Sequence, residues 1–262
     1  MDNDTPDVGR KRRDRMRDIL ERVREQGSTS TDELIRACGV SAATVRRDHS
    51  ELEARGLVRR SYGRVEAVGA LPELPVVMRA SEADAAKRAV GRLAARLLPP
   101  GRQAVAVSGG TTTQEVVRAL GDRNGLTVIT NAVTIALEVS RSPRVKTILT
   151  GGTLRATSLE AVGPLAEAAF SAFKVTTAFL GTDGISAAGG VTTHDDTEAR
   201  TNGVMVTHAD RVVVVCDGSK VGRQTMARMA DIGDVSVLVT DEHAPREALE
   251  QIAAAGVEVL IA

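Results

Sequence analysis

The sequence predicts an α/β protein in two parts. A winged helix-turn-helix domain is expected over residues 10–64, and after a linker at 65–75 a Rossmann-like α/β domain with a mostly parallel sheet is expected over 76–262. Three observations predict this. Two short helix patterns joined by a glycine lie near the N-terminus, positive charge is concentrated in the same region, and the remainder alternates short valine-rich runs with helical periodicity.

The first elements are set by capping chemistry. Ser30-Thr31-Asp32-Glu33 reads as a capping box, in which serine and glutamate satisfy each other's free backbone donors, and it opens a short helix carrying Leu34, Ile35 and Ala37. Gly39 permits a sharp turn. Ser41 can then cap a second helix, on which Val45 and Leu52 lie seven residues apart on one face while Thr44, Arg46 and Arg47 point mostly elsewhere. Helix, glycine turn and capped helix with outward arginines make a helix-turn-helix, and adjacent arginines there suit guanine edges and phosphates. Ser41, Ala42, Thr44, Arg46 and Arg47 are therefore the candidate duplex contacts. Gly56 to Arg64 follows as a short extended run with a glycine turn, a wing whose Arg59, Arg60 and Arg64 would flank the duplex.

Charge agrees with this division. Residues 10–64 hold 15 Lys/Arg against 9 Asp/Glu, whereas residues 65–262 hold 19 against 22, so a formal net charge of zero conceals a basic module joined to a mildly acidic body. Attraction to phosphate belongs to the first part.

Val65 to Pro75 contains Gly69, Pro72 and Pro75 without a sustained apolar period, and reads as the linker. Ala86, Ala89, Val90, Leu93, Ala94 and Leu97 then recur at helical spacing until Pro99-Pro100-Gly101. Candidate strands follow at 104–107, 126–130, 145–150, 177–180, 212–216, 235–240 and 257–261. They are short, valine-rich and mostly without alternation, as strands covered on both faces should be. Aromatic residues are 2% of the chain, so the core must be aliphatic.

Turns after those strands carry the polar residues. Ser108-Gly109-Gly110-Thr111-Thr112-Thr113 follows the first, Asn131 the second, Gly151-Gly152 the third, Gly181 to Gly184 with Asp183 the fourth, and Asp217 to Lys220 the fifth. In an open parallel sheet such segments gather at one edge, where ligands bind. Two glycines, three threonines and a helix start in the first turn suit an anion such as a phosphate. There is neither a glycine-lysine Walker loop nor a GxGxxG fingerprint, which disfavours nucleotide hydrolysis and nicotinamide binding. Ser108 lacks a G-x-S-x-G elbow, which disfavours hydrolysis. Cys38 and Cys216 lie far apart and no Cys/His cluster exists, so no metal or cofactor is expected and a reduced, cytoplasmic setting is. No apolar run approaches the ~20 residues that span a bilayer, so no membrane partner is expected.

The pattern from Glu33-Leu34 through Gly39-Val40-Ser41, Thr44 to Asp48 and Leu52-Glu53 resembles the DeoR-type bacterial transcriptional regulators. The resemblance continues through Lys87, the GGTTT loop, Thr130 to Ala132, Gly151-Gly152 with Leu154-Arg155, Val162-Gly163, the FLGTDGI and GVTT segments, Glu198 and the DGSK segment. It implies a sensor domain similar in fold to ribose-phosphate isomerases that binds a phosphorylated sugar or related metabolite. Carried over, Gly110 to Thr113 would cradle phosphate, while Asn131, Asp183, Glu198 and Lys220 would line the sugar end. The resemblance further implies an oligomer, dimer or tetramer, on operator DNA, and repression of carbohydrate-metabolism genes. The chain departs from the pattern where His49 stands for a usual leucine, Ser108 for aspartate, and Asn202 and Gly203 for basic residues.

A second reading is a sugar-phosphate isomerase-like enzyme with an appended DNA-binding module, because Asp183, Glu198 and Lys220 could supply a base and a polarising cation. It leaves residues 10–64 unexplained. The expectation is therefore a regulator without catalytic residues.

Overall fold

The computed structural model describes residues 8–54, 56–61, 63–68, 73–79 and 83–262. The chain forms two compact units that divide between residues 81 and 82.

In the first unit, α1 (Val8–Gln26) leads into β1 (Ser28–Ser30), α2 (Thr31–Cys38) and α3 (Ala42–Ala54), followed by β2 (Val58–Ser61), β3 (Arg64–Ala67) and the short α4 (Val76–Arg79). The capping box forms as the sequence expects: the Glu33 amide donates to Ser30 Oγ, and the Ser30 amide to the Glu33 carboxylate. Gly39 ends α2 in the left-handed region at φ 62°, where a side chain would be strained. Ser41 Oγ accepts the Thr44 amide at 3.3 Å and so caps α3. The three strands form an antiparallel sheet in the order β1-β3-β2, with Thr29 opposite Val65 and Arg60 opposite Val65 on its other side. Met16, Ile19, Leu20 and Val23 of α1 meet Leu34, Val45, Leu52, Val58, Val65 and Met78 in one core.

The linker expectation at 65–75 needs correction at both ends. Val65 is fully buried at the centre of the wing sheet, and Leu74 and Met78 pack into the same core, so these segments belong to the first unit. The apolar period was too short to register, because β3 contributes a single buried valine and α4 is one turn. Tyr62 of the wing and Gly69 and Pro72 of the expected linker lie outside the described residues.

The second unit runs α5 (Asp84–Arg96), β4 (Gln103–Val107), α6 (Thr111–Leu120), β5 (Leu126–Thr130), α7 (Val133–Val139), β6 (Lys146–Leu149), β7 (Thr153–Arg155), β8 (Glu160–Val162), α8 (Pro164–Ser171), β9 (Thr177–Leu180), β10 (Gly184–Ser186), β11 (Gly190–Thr193), α9 (Asp196–Thr207), β12 (Val212–Val215), β13 (Ala227–Ala230), β14 (Val237–Thr240), α10 (Arg246–Ala254) and β15 (Glu258–Ile261). All seven strands expected from valine-rich runs join one parallel sheet in the order β15-β14-β12-β9-β4-β5-β6.

Alternation within those strands feeds two layers. Val105, Val107, Val128, Phe179, Val213, Val215, Val237 and Val239 face Val90, Val116, Val117 and Ile135 of α5, α6 and α7. Ala106, Ile129, Ala178, Leu180, Val214 and Leu238 face Phe170, Met205 and Ile252 of α8, α9 and α10. Both faces are therefore apolar, which is why the runs read as continuous rather than alternating. Two smaller antiparallel pieces went unforeseen: the hairpin β7-β8 and the sheet β10-β11-β13. Neither was among the candidate strands.

Candidate functional site

On α3, Val45, Asp48, His49 and Leu52 are buried, at the i, i+3, i+4, i+7 positions of one face. Arg46 and Arg47 are exposed on the other side. Their side chains have no hydrogen bond or ion pair among the described residues. A concavity of about 540 Å³ is lined by Arg12, Arg15, Thr44, Arg46, Arg47, Asp48 and Ser50. Asp48, which the sequence reading did not single out, anchors this face. Its buried carboxylate accepts from Arg15 Nε at 2.6 Å and Arg12 Nε at 3.1 Å, tying the recognition helix to α1. Arg12 also reaches Glu51 at 2.6 Å.

The wing arginines are engaged internally. Arg60 donates to Glu53 of α3 through its amide and its guanidinium, Arg59 meets Glu66 at 3.3 Å, and Arg64 donates to the Ser28 hydroxyl at 2.9 Å. The expectation that all three simply flank a duplex is thus qualified: a phosphate must compete with a neighbour for each. Ser41 and Thr44 are joined hydroxyl to hydroxyl at 3.0 Å, and Ala42 sits in the first turn of α3 beside them.

His49 is 1% exposed and its Nε2 has no hydrogen-bond partner. Burial and the nearby Arg60 both lower its pKa. The core-side position inferred from spacing is where it lies.

In the second unit, the turns after β4, β5 and β9 meet at one edge of the sheet, and the hairpin β7-β8 closes over them. Ser108 is buried, accepts the Gly181 amide at 2.9 Å, and donates to the Gly109 carbonyl. Thr113 is fully buried, with its hydroxyl donating to the Gly110 carbonyl at 3.0 Å. Both were expected as effector contacts, and each hydroxyl has a partner within the loop or the neighbouring turn. Their hydroxyls are spent on holding the loop, because a buried hydroxyl takes the nearest backbone partner. The first-turn amides of α6, those of Thr111 and Thr112 among them, have no helix carbonyl within reach, and the N-cap Gly110 supplies no side-chain hydrogen bond to them.

The central group is one the sequence reading missed. Glu160, on β8 opposite Arg155, is 2% exposed, and its Oε1 accepts the Gly109 amide at 2.6 Å. A Cβ on Gly109 would stand 2.6 Å from Glu160 Cγ, so only glycine admits the carboxylate there. Asn202 Nδ2 donates to the same oxygen at 3.4 Å, and Asn131 Nδ2 donates to Asn202 Oδ1 at 3.2 Å. Asn131 Oδ1 is buried and without a partner. Burial, and then the charge of neighbouring Glu198, push the Glu160 carboxyl well above the usual carboxylate range.

Glu198 lies in the first turn of α9, whose cap is Asp195. Its Oε2 accepts from Arg155 at 3.1 Å, and its Oε1 lies 2.7 Å from the Thr193 hydroxyl, which is also 3.2 Å from Asp183 Oδ2. Arg155 bridges to Asp195 at 3.1 Å. Asp183, Glu198 and Asn131 are therefore brought together as expected, with Glu160, Arg155, Thr193 and Asn202 added. A single signal in the sequence marked Glu160: an acid inside the apolar run Leu159 to Val162.

The remaining expectations fare differently. Gly151 and Gly152 are exposed in the turn leading into β7, and a Cβ on Gly152 would meet the Val162 carbonyl at 2.8 Å, so this glycine lets the hairpin close. Lys220 is half-exposed at the end of a 3-10 turn, and no hydrogen bond joins it to the carboxylate cluster. The buried lysine near that turn is Lys87, 3.9 Å from Asp217. His194 is exposed. No group of three or more His, Cys, Asp or Glu able to hold a metal occurs among the described residues, and no helix among them is long and apolar enough to cross a membrane.

Residues 15–69 match the DeoR-like helix-turn-helix domain and residues 82–242 match the DeoR C terminal sensor domain. The HTH-type transcriptional regulator GlpR of Haloferax volcanii is 35% identical over 253 residues, covering 94% of this chain and 96% of its own length. The glycerol-3-phosphate regulon repressor of Escherichia coli K12 is 30% identical over 227 residues, covering 87% and 90%. Among solved structures, ribose 5-phosphate isomerase A from Neisseria gonorrhoeae aligns with 55% of this chain and 54% of its own at 13% identity and a TM-score of 0.37.

Proposed function

This chain belongs to the DeoR family of transcriptional regulators, and from that premise we propose that it represses carbohydrate-metabolism genes in the cytoplasm, with an operator affinity set by a phosphorylated sugar or related metabolite. It is a DNA-binding regulator rather than an enzyme. The observation that carries the proposal is the opposition on α3 of a buried apolar stripe and two exposed arginines without internal partners. In this reading Arg46 and Arg47, with Ser41, Ala42 and Thr44, enter the major groove, and Arg59, Arg60 and Arg64 take phosphates when the duplex displaces their internal partners.

The effector's phosphate is held by the amides of Gly110, Thr111 and Thr112 at the start of α6, where partial positive charge and free donors coincide. Its sugar end meets Asn131, Asp183, Glu160 and Glu198, with Gly151, Gly152 and Lys220 at the rim. The names of the two relatives, one a glycerol-3-phosphate regulon repressor, support a small phosphorylated ligand of this kind. One winged module makes few contacts, so the protein acts as a dimer or tetramer on repeated half-sites. The effector shifts operator affinity only by the difference between its affinities for the two arrangements.

Duplexes selected from a random pool by the purified protein, titrated at several salt concentrations with and without sugar phosphates, test the proposal. A selected sequence bound at least 1,000-fold above random DNA, on the order of the usual specificity ratio, is expected. Binding that is uniform across sequences, or indifferent to every sugar phosphate, overturns it. A ligand at 100 times its dissociation constant adds about 2.7 kcal/mol to stability, which a melting curve resolves.

A further inference from the structure

Arg46 and Arg47 are neighbours in sequence but lean apart in space, because successive residues of a helix are turned by about 100°. Thr44, Arg47, Asp48 and Glu51 stand at the i, i+3, i+4 and i+7 positions of one face, and that face meets α1, where Asp48 and Glu51 both pair with Arg12. Arg46, Ser50 and Glu53 follow another line, the one that meets the wing through Arg60. The two arginines therefore lean towards opposite flanks of the recognition helix, and only Arg47 leans towards α1.

The concavity of about 540 Å³ has walls from α1 and α3 alone, and four of its seven lining residues are arginines. Asp48 is the single acid among them, and its charge is spent inwards: it is 1% exposed and accepts Arg15 Nε on one oxygen and Arg12 Nε on the other. Glu51 takes a further contact from Arg12. Four guanidinium groups against these two carboxylates leave two positive charges in excess, those of Arg46 and Arg47. Arg12 is oriented rather than exhausted by its partners, since a guanidinium has five N–H donors and this side chain stays 44% exposed. Arg47 is exposed and held by no internal contact among the described residues. One fixed guanidinium and one free guanidinium lining a single concavity make a pair that an oxyanion with several acceptor oxygens completes.

Building on the DNA-binding reading above, we infer that this concavity seats one backbone phosphate of the duplex between Arg12 of α1 and Arg47 of α3, so that α1 is part of the DNA interface and the two adjacent arginines have different roles. Arg47 grips the backbone, and Arg46 is left for base edges. A phosphate is the acceptor in reach because Arg12 projects from a helix that stays outside the groove α3 enters. Bridging two helices, it sets the register of α3 in the groove without itself reading sequence. Asp48 and Glu51 assist by holding Arg12 in place beforehand, which reduces the side-chain entropy lost when the phosphate arrives.

The experiment is a methylphosphonate scan with the full chain. Each phosphate of a duplex selected from the random pool is replaced in turn by a neutral methylphosphonate, and affinity is titrated for the natural protein, Arg12→Ala, Arg47→Ala and Arg46→Ala. At one or more phosphates, neutralisation is expected to cost the natural protein about tenfold, the low end for a hydrogen bond to a charged group. The same neutralisation should cost Arg12→Ala and Arg47→Ala at most about twofold, since the contact is already lost and the two changes do not add. Arg46→Ala should keep the full cost there and instead narrow the ratio between selected and random duplexes. Arg15 still covers Asp48 when Arg12 is shortened, and Arg12→Gln, which retains a donor without the charge, serves the same purpose should Arg12→Ala melt early. Costs that add at every phosphate with the Arg12 variant or with Arg47→Ala, or an Arg46→Ala that loses the same phosphate, overturn the seat while leaving DNA binding intact. If the natural protein binds no duplex, the DNA-binding reading itself fails and the seat fails with it.

Discussion

Asp48 of the recognition helix and Arg15 of α1 are joined at 2.6 Å across 33 positions of sequence, with the carboxylate 1% exposed. The pair fixes the angle at which Arg46 and Arg47 leave the surface, because α3 cannot rotate without pulling a buried charge from its partner. Asp48→Ala is therefore expected to destabilise the first unit by about 3 kcal/mol, the lower end for breaking a buried pair, since Arg15 and Arg12 retain some water. Operator affinity should fall as well. Urea denaturation followed by circular dichroism and an operator titration check both, and an unchanged midpoint would remove the anchoring role.

Arg46→Ala or Arg47→Ala is expected to weaken binding to a selected operator by about 1 to 3 kcal/mol if either makes a bidentate base contact. Arg60→Ala should instead weaken all sequences alike and lower the salt slope by about 1. Its ion pair with Glu53 sets a further contrast. Glu53→Gln should release the guanidinium and raise affinity for random DNA. Titrations of the four variants at several salt concentrations distinguish the two kinds of contact, and unchanged affinity in all three arginine variants would exclude this face.

His49→Leu is expected to stabilise the first unit by about 1 to 2 kcal/mol, because leucine fills the site without an unpartnered ring nitrogen. The pH dependence follows from the lowered pKa in the folded state. Above the ordinary imidazole value of 6.5 both states are neutral; as pH falls through 6.5 the unfolded chain takes up the proton first, so stability declines until the folded value is passed. Melting curves from pH 8 to pH 5 should show that decline in the natural protein and less of it in the variant. Equal slopes would place the pH sensitivity elsewhere.

Thr112→Asp places a carboxylate among the free amides at the start of α6, a position where negative charge favours the helix. The fold should persist while effector phosphate is repelled. Operator binding without effector should be retained, so the variant ceases to respond rather than ceasing to bind. Operator affinity measured with and without a sugar phosphate that binds the natural protein checks this; a full response would show that the phosphate is held at another loop.

Much of the architecture was legible because local rules and burial agree in it. The capping box at Ser30 and Glu33, the left-handed Gly39, the cap at Ser41 and the stripe of Val45, His49 and Leu52 each follow from residues within about two turns of helix. The seven parallel strands were legible for a related reason: a strand covered on both faces must be apolar throughout, and a run such as Val212 to Val215 allows little else. Their parallel order also brings the turns at Gly109, Asn131 and Gly181 to one edge. What the tertiary structure alone decided is which polar groups those turns present. Ser108 and Thr113 have the composition of ligand contacts but turn inward to hold the loop, while Glu160, 51 positions from Gly109, becomes the loop's partner because the β7-β8 hairpin folds over it. Periodicity reports the face a residue occupies. It carries no information about which buried donor finds which acceptor, since that pairing is set by distances between segments far apart in the chain.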